Sequence, residues 1–129
     1  MISWERIDHG VNCLEDAALV SRLAADRIGL TVCPVSNGWV TDGMKVPELR
    51  TMLDKTLLAT VNSDDPAYFE AYVNDNFAAV AADGALGPGH LTQLARNSFE
   101  IAWLDPAERA GYLALIDSYV TGRPTGAAL

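Results

Sequence analysis

Two adjacent aspartates, Asp64 and Asp65, follow the apolar run "LLATVN" and stand directly before Pro66. Neighbouring carboxylates repel each other, so the pair needs an explanation. Asp65 before a proline fits a helix N-cap with proline at the first helical position, which accounts for one of the two acids. Successive side chains of an extended segment point to opposite sides, so we expect Asp64 to face the crevice at the strand end. A divalent cation or a protonated ligand nitrogen there would relieve the repulsion.

Polar residues also follow two other candidate strands. Asp8 and His9 end the first, and Ser36 and Asn37 come shortly after "LTVC". Sites in α/β proteins lie beyond the carboxyl ends of parallel strands, so three polar strand ends on one edge predict a site. Each residue also has a structural explanation: a lone histidine such as His9 is commonly hydrogen-bonded within the fold, and Ser36-Asn37 after a proline fits a turn.

The elements that would position these residues alternate between strand and helix. Apolar runs predict strands at residues 5–8, 30–33 and 57–62, and such an alternation predicts parallel strands with crossover helices, an α/β architecture. Asp16 is expected to cap the first helix, Gly29 to close it, and residues 35–46 to form a loop. Apolar periodicity and proline positions predict helices at 17–27, 47–55, 66–82, 91–104 and 106–120. One domain at 1–121 and a tail at 122–129 are expected.

The composition restricts the classes of partner. The chain has 129 residues, a net charge of -8 and a pI of about 4.5, which argue against nucleic acid and anionic membranes. No apolar run reaches the roughly 18 residues that a membrane span needs. The two cysteines, Cys13 and Cys33, lack metal-ligand spacing and are expected to be small core residues of a reduced, cytoplasmic chain. His90, after Gly-Pro-Gly at a helix start, is expected at the surface.

Four motifs carry a resemblance to a known family. In order and spacing, "RIDHGVNCLED", "LTVCPVSN", "VNSDDPAYF" and "LARNSF" resemble the C-terminal part of the adenosine/adenine deaminase family, which are zinc-dependent (β/α)8-barrel aminohydrolases. The resemblance implies that Asp64 is a zinc ligand and that Asp65 bonds the purine ring at N7. It also implies that His9 orients and activates the water that attacks C6. The implied reaction is the hydrolytic deamination of a 6-aminopurine.

The same motifs bear on the substrate. "RIDHG" resembles adenine deaminases more than adenosine deaminases, which have glycine at the place of Asp8, and Ser63 favours the same choice. A carboxylate at Asp8 would crowd or repel a ribose, so we expect adenine as substrate, with adenosine as the alternative. Two stretches depart from the family pattern, Glu70-Ala71 and "GWVTDGMKVPEL", and both are expected in loops beside the purine pocket.

The family's catalytic set is only partly present in this chain. The resemblance implies an HxH pair, a third histidine and a glutamate proton donor, but the sequence has only His9 and His90 and contains no HxH. Zinc takes about four ligands, so a zinc site would be incomplete here. We therefore expect no turnover from the isolated chain, and either an N-terminal half chain or self-association as its partner. A non-catalytic assembly module is the competing hypothesis. The HxE and PCxxC signature of cytidine deaminases is absent.

The resemblance also implies an architecture. The three strands would be the sixth to eighth of a barrel, in sequence order, with right-handed crossovers and with the helices at 17–27 and 47–55 on the outer face. The face towards the barrel interior would be partly stripped of cover, because the other strands are not in this chain. Residues expected to be exposed by this are Leu30, Val32, Ala59 and Val61. That exposure would favour either a dimer or a monomer of marginal stability.

Overall fold

The sheet is built from three parallel strands in sequence order. A computed structural model describes residues 4–122, and within that range the strands are β1 (Arg6–Asp8), β2 (Gly29–Val32) and β3 (Leu58–Val61). Ile7 lies beside Leu30 and Leu30 beside Ala59, so the three strands are in a continuous register. The α/β class and the parallel sheet are confirmed. Most of the tail expected at 122–129 lies outside the described residues.

Helices connect and follow the strands. A 3-10 helix at Val11–Glu15 precedes the first α-helix, whose N-terminal amides bond to the carboxylate of Asp16, as predicted. The predicted helices at 47–55 and 106–120 are also present, with ends shifted by at most one residue. In order, the helices are α1 (Ala17–Ala25), α2 (Pro34–Val40), α3 (Val46–Asp54), α4 (Pro66–Phe69), α5 (Val73–Asp83), α6 (Pro88–Glu100) and α7 (Pro106–Val120).

The predicted loop at 35–46 is wrong in its first half, because α2 occupies Pro34–Val40. The turn-forming residues of this stretch suggested a loop. The helix forms because a partner distant in sequence satisfies its first turn: the Val35 N–H donates to Asn76 Oδ1 at 3.0 Å. Asn76 is fully buried in α5, so this cap depends on tertiary packing.

The predicted helix at 66–82 is divided in two. Glu70 has a φ of 53°, in the left-handed region, and separates α4 from α5. The second helix starts anew, with the Tyr72 N–H donating to Asp75 Oδ2 at 2.8 Å. The helix predicted at 91–104 begins at Pro88 and ends at Glu100. It begins earlier than predicted because proline is favourable at a first helical position.

Gly29 does not close a helix, so that prediction is also wrong. Helix α1 ends at Ala25, the left-handed turn is made by Arg27 (φ 53°), and Gly29 is the first residue of β2. The reason for a glycine here is space: a Cβ at Gly29 would lie 2.7 Å from Ile101 Cγ2, closer than carbon atoms can approach. The segment that follows α6 therefore packs directly on the start of β2.

The two faces of the sheet are not covered as the sequence suggested. Leu30, Val32, Ala59 and Val61 were expected to be partly exposed, and this is wrong, because each is 2% exposed or less. Together with Ile7 they form the helix face of the sheet, packed against the buried side chains of α1, α3, α5 and α6. Alternate strand residues point to opposite faces, so the other face carries the neighbouring positions. We call it the polar face, and its central row is Asp8, Thr31 and Thr60.

Self-association was expected because apolar strand residues would be exposed, and the structure shows that these residues are buried. Apolar strand residues are covered by the chain's own helices, so the sheet needs no second copy to shield them. A dimer or a marginally stable monomer stays a prediction of the sequence alone. None of the helices in residues 4–122 combines the length and apolar character needed to cross a membrane. The cytoplasmic location likewise stays a prediction.

Candidate active site

Three side chains that follow three different strands converge at one edge of the sheet. His9 follows β1, Cys33 follows β2, and Asp64 lies three residues after β3. His9 Nε2 is 3.8 Å from Asp64 Oδ2, and one donor atom of each of the three residues lies within 4.8 Å of the other two. The carboxyl ends of parallel strands meet at the same edge, which is why residues far apart in sequence come together here.

The backbone aims two of these side chains through an uncommon conformation. His9 and Asp64 have φ values of 58° and 60°, in the left-handed region that non-glycine residues seldom adopt. Gly10 continues the turn after His9 with a φ of 77°. Such conformations cost free energy and cluster at functional sites, where the surrounding structure holds them in place. Here the His9 N–H is held by the Thr31 carbonyl at 3.0 Å.

Asp64 and Asp65 are separated as the sequence predicted. Asp64 Oδ2 joins the cluster, whereas Asp65 Oδ1 accepts a hydrogen bond of 3.2 Å from the Tyr68 N–H and caps α4. The left-handed backbone of Asp64 followed by the extended backbone of Asp65 directs the two carboxylates apart. The N-cap explanation of Asp65 is therefore correct. Its contact with a purine stays a prediction.

Ser36 supports the Asp64 carboxylate. Its hydroxyl donates to Asp64 Oδ2 at 2.7 Å, and the residue is 2% exposed on α2. The turn predicted at Ser36-Asn37 is wrong, because both residues are helical. Asn37 is also buried, and its Nδ2 has no hydrogen-bond partner among residues 4–122. The position of Ser36 and Asn37 after a strand indicated a role in the site. Their turn-forming residue types nevertheless favoured the prediction of a turn.

Cys33 is the cluster member that the sequence interpretation missed. It is buried, as expected of a small core residue, but its Sγ belongs to the group with His9 and Asp64 and donates to the Thr31 carbonyl at 3.4 Å. Burial, reinforced by the negative charge of Asp64, raises the pKa of the Cys33 thiol to about 11. The thiol is therefore protonated near neutral pH. Only its place after a strand, equivalent to that of His9, could have indicated this position.

Asp8 occupies the polar face immediately before His9. Its Oδ1 accepts a hydrogen bond of 2.8 Å from Thr31 Oγ1 on the neighbouring strand. Directly along the row, Thr60 Oγ1 accepts a 2.7 Å bond from Asn62 Nδ2. The polar face beside the cluster is thus a hydrogen-bonded surface with an exposed carboxylate, not an apolar one.

Three aromatic side chains cluster where α2 meets α4. Trp39 packs edge-on against Phe69 with ring centroids 6.1 Å apart, and Tyr68 contacts the same ring at 4.9 Å. Trp39 and Tyr68 are largely exposed. Their exposed rings are free to contact a planar or apolar group.

The donor set suits zinc but does not complete a zinc site. Imidazole nitrogen, thiol sulfur and carboxylate oxygen are all zinc ligands, and they are the donors that His9, Cys33 and Asp64 offer. Zinc takes four or five ligands, so the three residues leave at least one position open. The sequence has only two histidines, His9 and His90, so the HxH pair that the resemblance implies is not in it.

The chain is similar to known proteins along most of its length. The family model described as adenosine deaminase matches residues 1–119. An adenine deaminase from Sphingopyxis alaskensis is 52% identical over 121 residues, which are 92% of this chain and 36% of that protein. The crystal structure of an adenine deaminase from Arthrobacter aurescens superposes with a TM-score of 0.82 at 39% identity and covers 91% of this chain and 36% of that one.

A more distant structure shares the fold. A zinc-bound amidohydrolase from Burkholderia ambifaria superposes with a TM-score of 0.77 at 21% identity, covering 92% of this chain and 35% of that chain. The three-stranded sheet with its helices thus corresponds to one sector of a (β/α)8 barrel, as the sequence predicted. The chain spans a little over one third of the length of these proteins.

Proposed function

The chain belongs to the adenosine deaminase family, and we propose that it supplies the C-terminal part of an active site that hydrolyses adenine to hypoxanthine and ammonia. The observation that carries the proposal is the 3.8 Å approach of His9 Nε2 to Asp64 Oδ2 at the carboxyl ends of β1 and β3. The adenine deaminases to which the chain is similar support the choice of reaction. Because the chain spans about a third of their length, the complete activity requires further groups.

Asp64 is the residue proposed to hold the metal. Its carboxylate faces the cluster, and the hydrogen bond from Ser36 fixes the orientation of Oδ2. When bound, zinc would supply Lewis acidity, which makes a water molecule acidic enough to yield hydroxide near pH 7. Ser36 is expected to act as a positioning residue, because outer hydrogen bonds orient metal-ligating carboxylates.

His9 is proposed to position the attacking water and to hold its proton. The side chain is about half exposed, so its ring can reach both the cluster and a substrate above it. An imidazole can act as a general base and a general acid in turn, so it can accept the proton of the water and return it to the leaving ammonia. The hydrogen bond from the His9 N–H to Thr31 ties the histidine backbone to β2.

Asp65 and Asp8 are proposed to recognise the purine. The helix cap uses Asp65 Oδ1, which leaves Oδ2 for a hydrogen bond with ring N7 in which one of the two partners carries the proton. Asp8 lies next to His9, and its exposed carboxylate would crowd a ribose. This argument favours adenine over adenosine, which stays the alternative substrate.

A chimera tests the reaction. Replacing the matching segment of the Sphingopyxis alaskensis adenine deaminase with this chain restores the missing ligands, and we expect zinc-dependent loss of adenine. Asp64→Ala in the chimera is expected to lower kcat/KM by at least about 1000-fold, as loss of a metal ligand removes the water activation. Asp83→Asn is the matched control, since this exposed acid lies at the end of α5. A folded chimera without adenine turnover would contradict the proposal.

The same chimera tests substrate choice. Asp8→Gly is expected to raise the adenosine-to-adenine ratio of kcat/KM, because the carboxylate that crowds a ribose is removed. An unchanged ratio would contradict the role of Asp8 without touching that of Asp64.

The isolated chain separates the proposal from its competitor, a non-catalytic assembly module. We expect no turnover of adenine from the chain alone with added zinc, because its sequence lacks the HxH pair and the glutamate-bearing motif that the resemblance implies. Turnover by the chain alone that Asp64→Ala abolishes would contradict this expectation. An inactive chain that becomes active when mixed with a polypeptide carrying the HxH and glutamate motifs would exclude the module hypothesis.

A further inference from the structure

The cluster at the strand ends contains a donor that the proposed catalytic roles do not use, the thiol of Cys33. Its Sγ lies within 4.8 Å of a donor atom on each of His9 and Asp64. In a tetrahedral site with metal–nitrogen and metal–sulfur distances of about 2.0 and 2.3 Å, donor atoms lie about 3.3–3.6 Å apart. The distance of 3.8 Å between His9 Nε2 and Asp64 Oδ2 is already close to that spacing.

We propose that this chain on its own binds one divalent ion of the zinc class through His9 Nε2, Cys33 Sγ and one carboxylate oxygen of Asp64, with the fourth position open to solvent. The inference shares Asp64 with the proposed function but otherwise does not depend on it. In the proposed function, His9 positions the water and groups outside this chain complete the metal site, whereas here His9 and Cys33 are themselves ligands.

The three donors are held in place by the fold. Cys33 is buried and followed by Pro34, which begins α2, and the His9 backbone is bonded to Thr31. The Asp64 carboxylate is oriented by the 2.7 Å hydrogen bond from Ser36. To bind the ion, the donor atoms need to approach one another by about 1 Å. The Cys33 thiol also needs to lose its proton, and coordination to a divalent ion favours that loss.

The donor types determine which ions are taken. One sulfur, one nitrogen and one oxygen suit Zn2+ and Co2+, whereas Mg2+ and Ca2+ require mostly oxygen ligands. Exposed acids alone would not show this preference. The proposal is therefore specific to the presence of Cys33 in the cluster.

Titration of the chain with Co2+ tests the proposal, because a cobalt–thiolate bond gives a charge-transfer band in the near ultraviolet. We expect a saturable band at one ion per chain, which Zn2+ removes by competition and Mg2+ does not. Cys33→Ser is expected to abolish the band and to weaken binding by roughly 10- to 100-fold. Cys13→Ser is the matched control, since Cys13 is also buried and lies outside the cluster, and it should leave the band unchanged.

Variants at the exposed ligands guard against loss of folding in the Cys33 variant. His9→Asn keeps a residue that tolerates a left-handed backbone, and Asp64→Asn keeps the side-chain shape. Both are expected to weaken Co2+ binding by at least roughly tenfold with an unchanged circular dichroism spectrum. A band that survives Cys33→Ser in a folded chain, or no saturable binding to the wild-type chain, would overturn the proposal. Neither result affects the chimera assay, so the two proposals fail separately.

Discussion

The two outer strands of the sheet pair with β2 in the same register but are covered very differently. Three of the four residues of β3 are buried, and α6 packs along it. No residue of β1 is fully buried, and a groove of about 900 Å3 lies beside it, lined by Ile7, Leu19, Trp103 and others. The backbone pairing with β2 is alike for β1 and β3. The two strands differ in how far other side chains bury them.

A side chain of α6 pairs a backbone carbonyl on the free edge of β3. The Asn62 N–H donates to the Val32 carbonyl, so residues of the other parity, such as Ala59, direct their polar groups away from β2. Asn97, which is 1% exposed on α6, donates through Nδ2 to the Ala59 carbonyl at 2.7 Å. A carbonyl that would otherwise be unpaired and buried is thereby satisfied.

The edge of β1 depends on contacts near the surface. The guanidinium of Arg6 lies 3.8 Å from the centre of the Trp103 ring, and Trp103 Nε1 donates to Glu5 Oε2 at 2.8 Å. Trp103 itself is 76% exposed. The candidate site thus combines Asp64, which follows a firmly held strand, with His9, which follows a weakly held one.

The largest expected difference between β3 and β1 is in the free energy of unfolding after one apolar residue at each strand is truncated. Leu94→Ala beneath β3 removes a fully buried side chain and is expected to lower the free energy of unfolding by about 2–5 kcal/mol. Ile7→Ala on β1 is expected to cost less than half as much, because Ile7 is only partly buried. Urea unfolding measures both. Equal losses would mean that the two strands are held alike.

The next prediction concerns the edge of β3. Asn97→Ala leaves the Ala59 carbonyl without its partner and is expected to cost about 1–3 kcal/mol in urea unfolding. Ser98→Ala is the control, since the Ser98 hydroxyl bonds only within α6, to the Leu94 carbonyl, and its loss should be nearly neutral. If the two variants are equally stable, Asn97 does not stabilise the edge.

Gly29→Ala is expected to disturb the segment that leads from α6 to Trp103. The added Cβ would meet Ile101 at 2.7 Å, and the partly exposed Ile101 can yield, so we expect a loss of about 1–2 kcal/mol. Gly111→Ala is the control, because nothing lies within 4 Å of that position in α7 and alanine favours helix. The double variant Gly29→Ala/Ile101→Ala should recover part of the stability, and no recovery would contradict the steric explanation.

The smallest expected effect is that of Trp103→Ala, about 0.5–1 kcal/mol, because the residue is largely exposed. Its consequence should be local: faster amide hydrogen exchange at Ile7 and His9, whose N–H groups face β2, with β3 unchanged. Tyr119→Ala, at an exposed aromatic residue on α7, should change neither strand. Unchanged exchange in β1 would show that the groove side does not rely on Trp103.

Features that depend on neighbours in the chain were predictable from the sequence. Asp16 and Asp65 cap helices as expected, and Pro47 and Pro106 stand in the first turns of α3 and α7. The order of the three strands, and hence the common edge for His9 and Asp64, followed from the apolar runs of the sequence. These features are local because a cap or a proline acts within one helical turn.

Features that depend on residues distant in sequence were decided only by the tertiary structure. Helix α2 forms with help from Asn76, 41 residues away, and Gly29 is required by Ile101, 72 residues away. The sequence interpretation placed Leu30 and Ala59 on a face left without cover, and only the packing showed that the helices cover that face. Likewise, Cys33 became a member of the site only when three strand ends met. The sequence by itself determined what each segment could form, and packing between distant segments decided which faces, contacts and donors came together, because those energies depend on the whole fold.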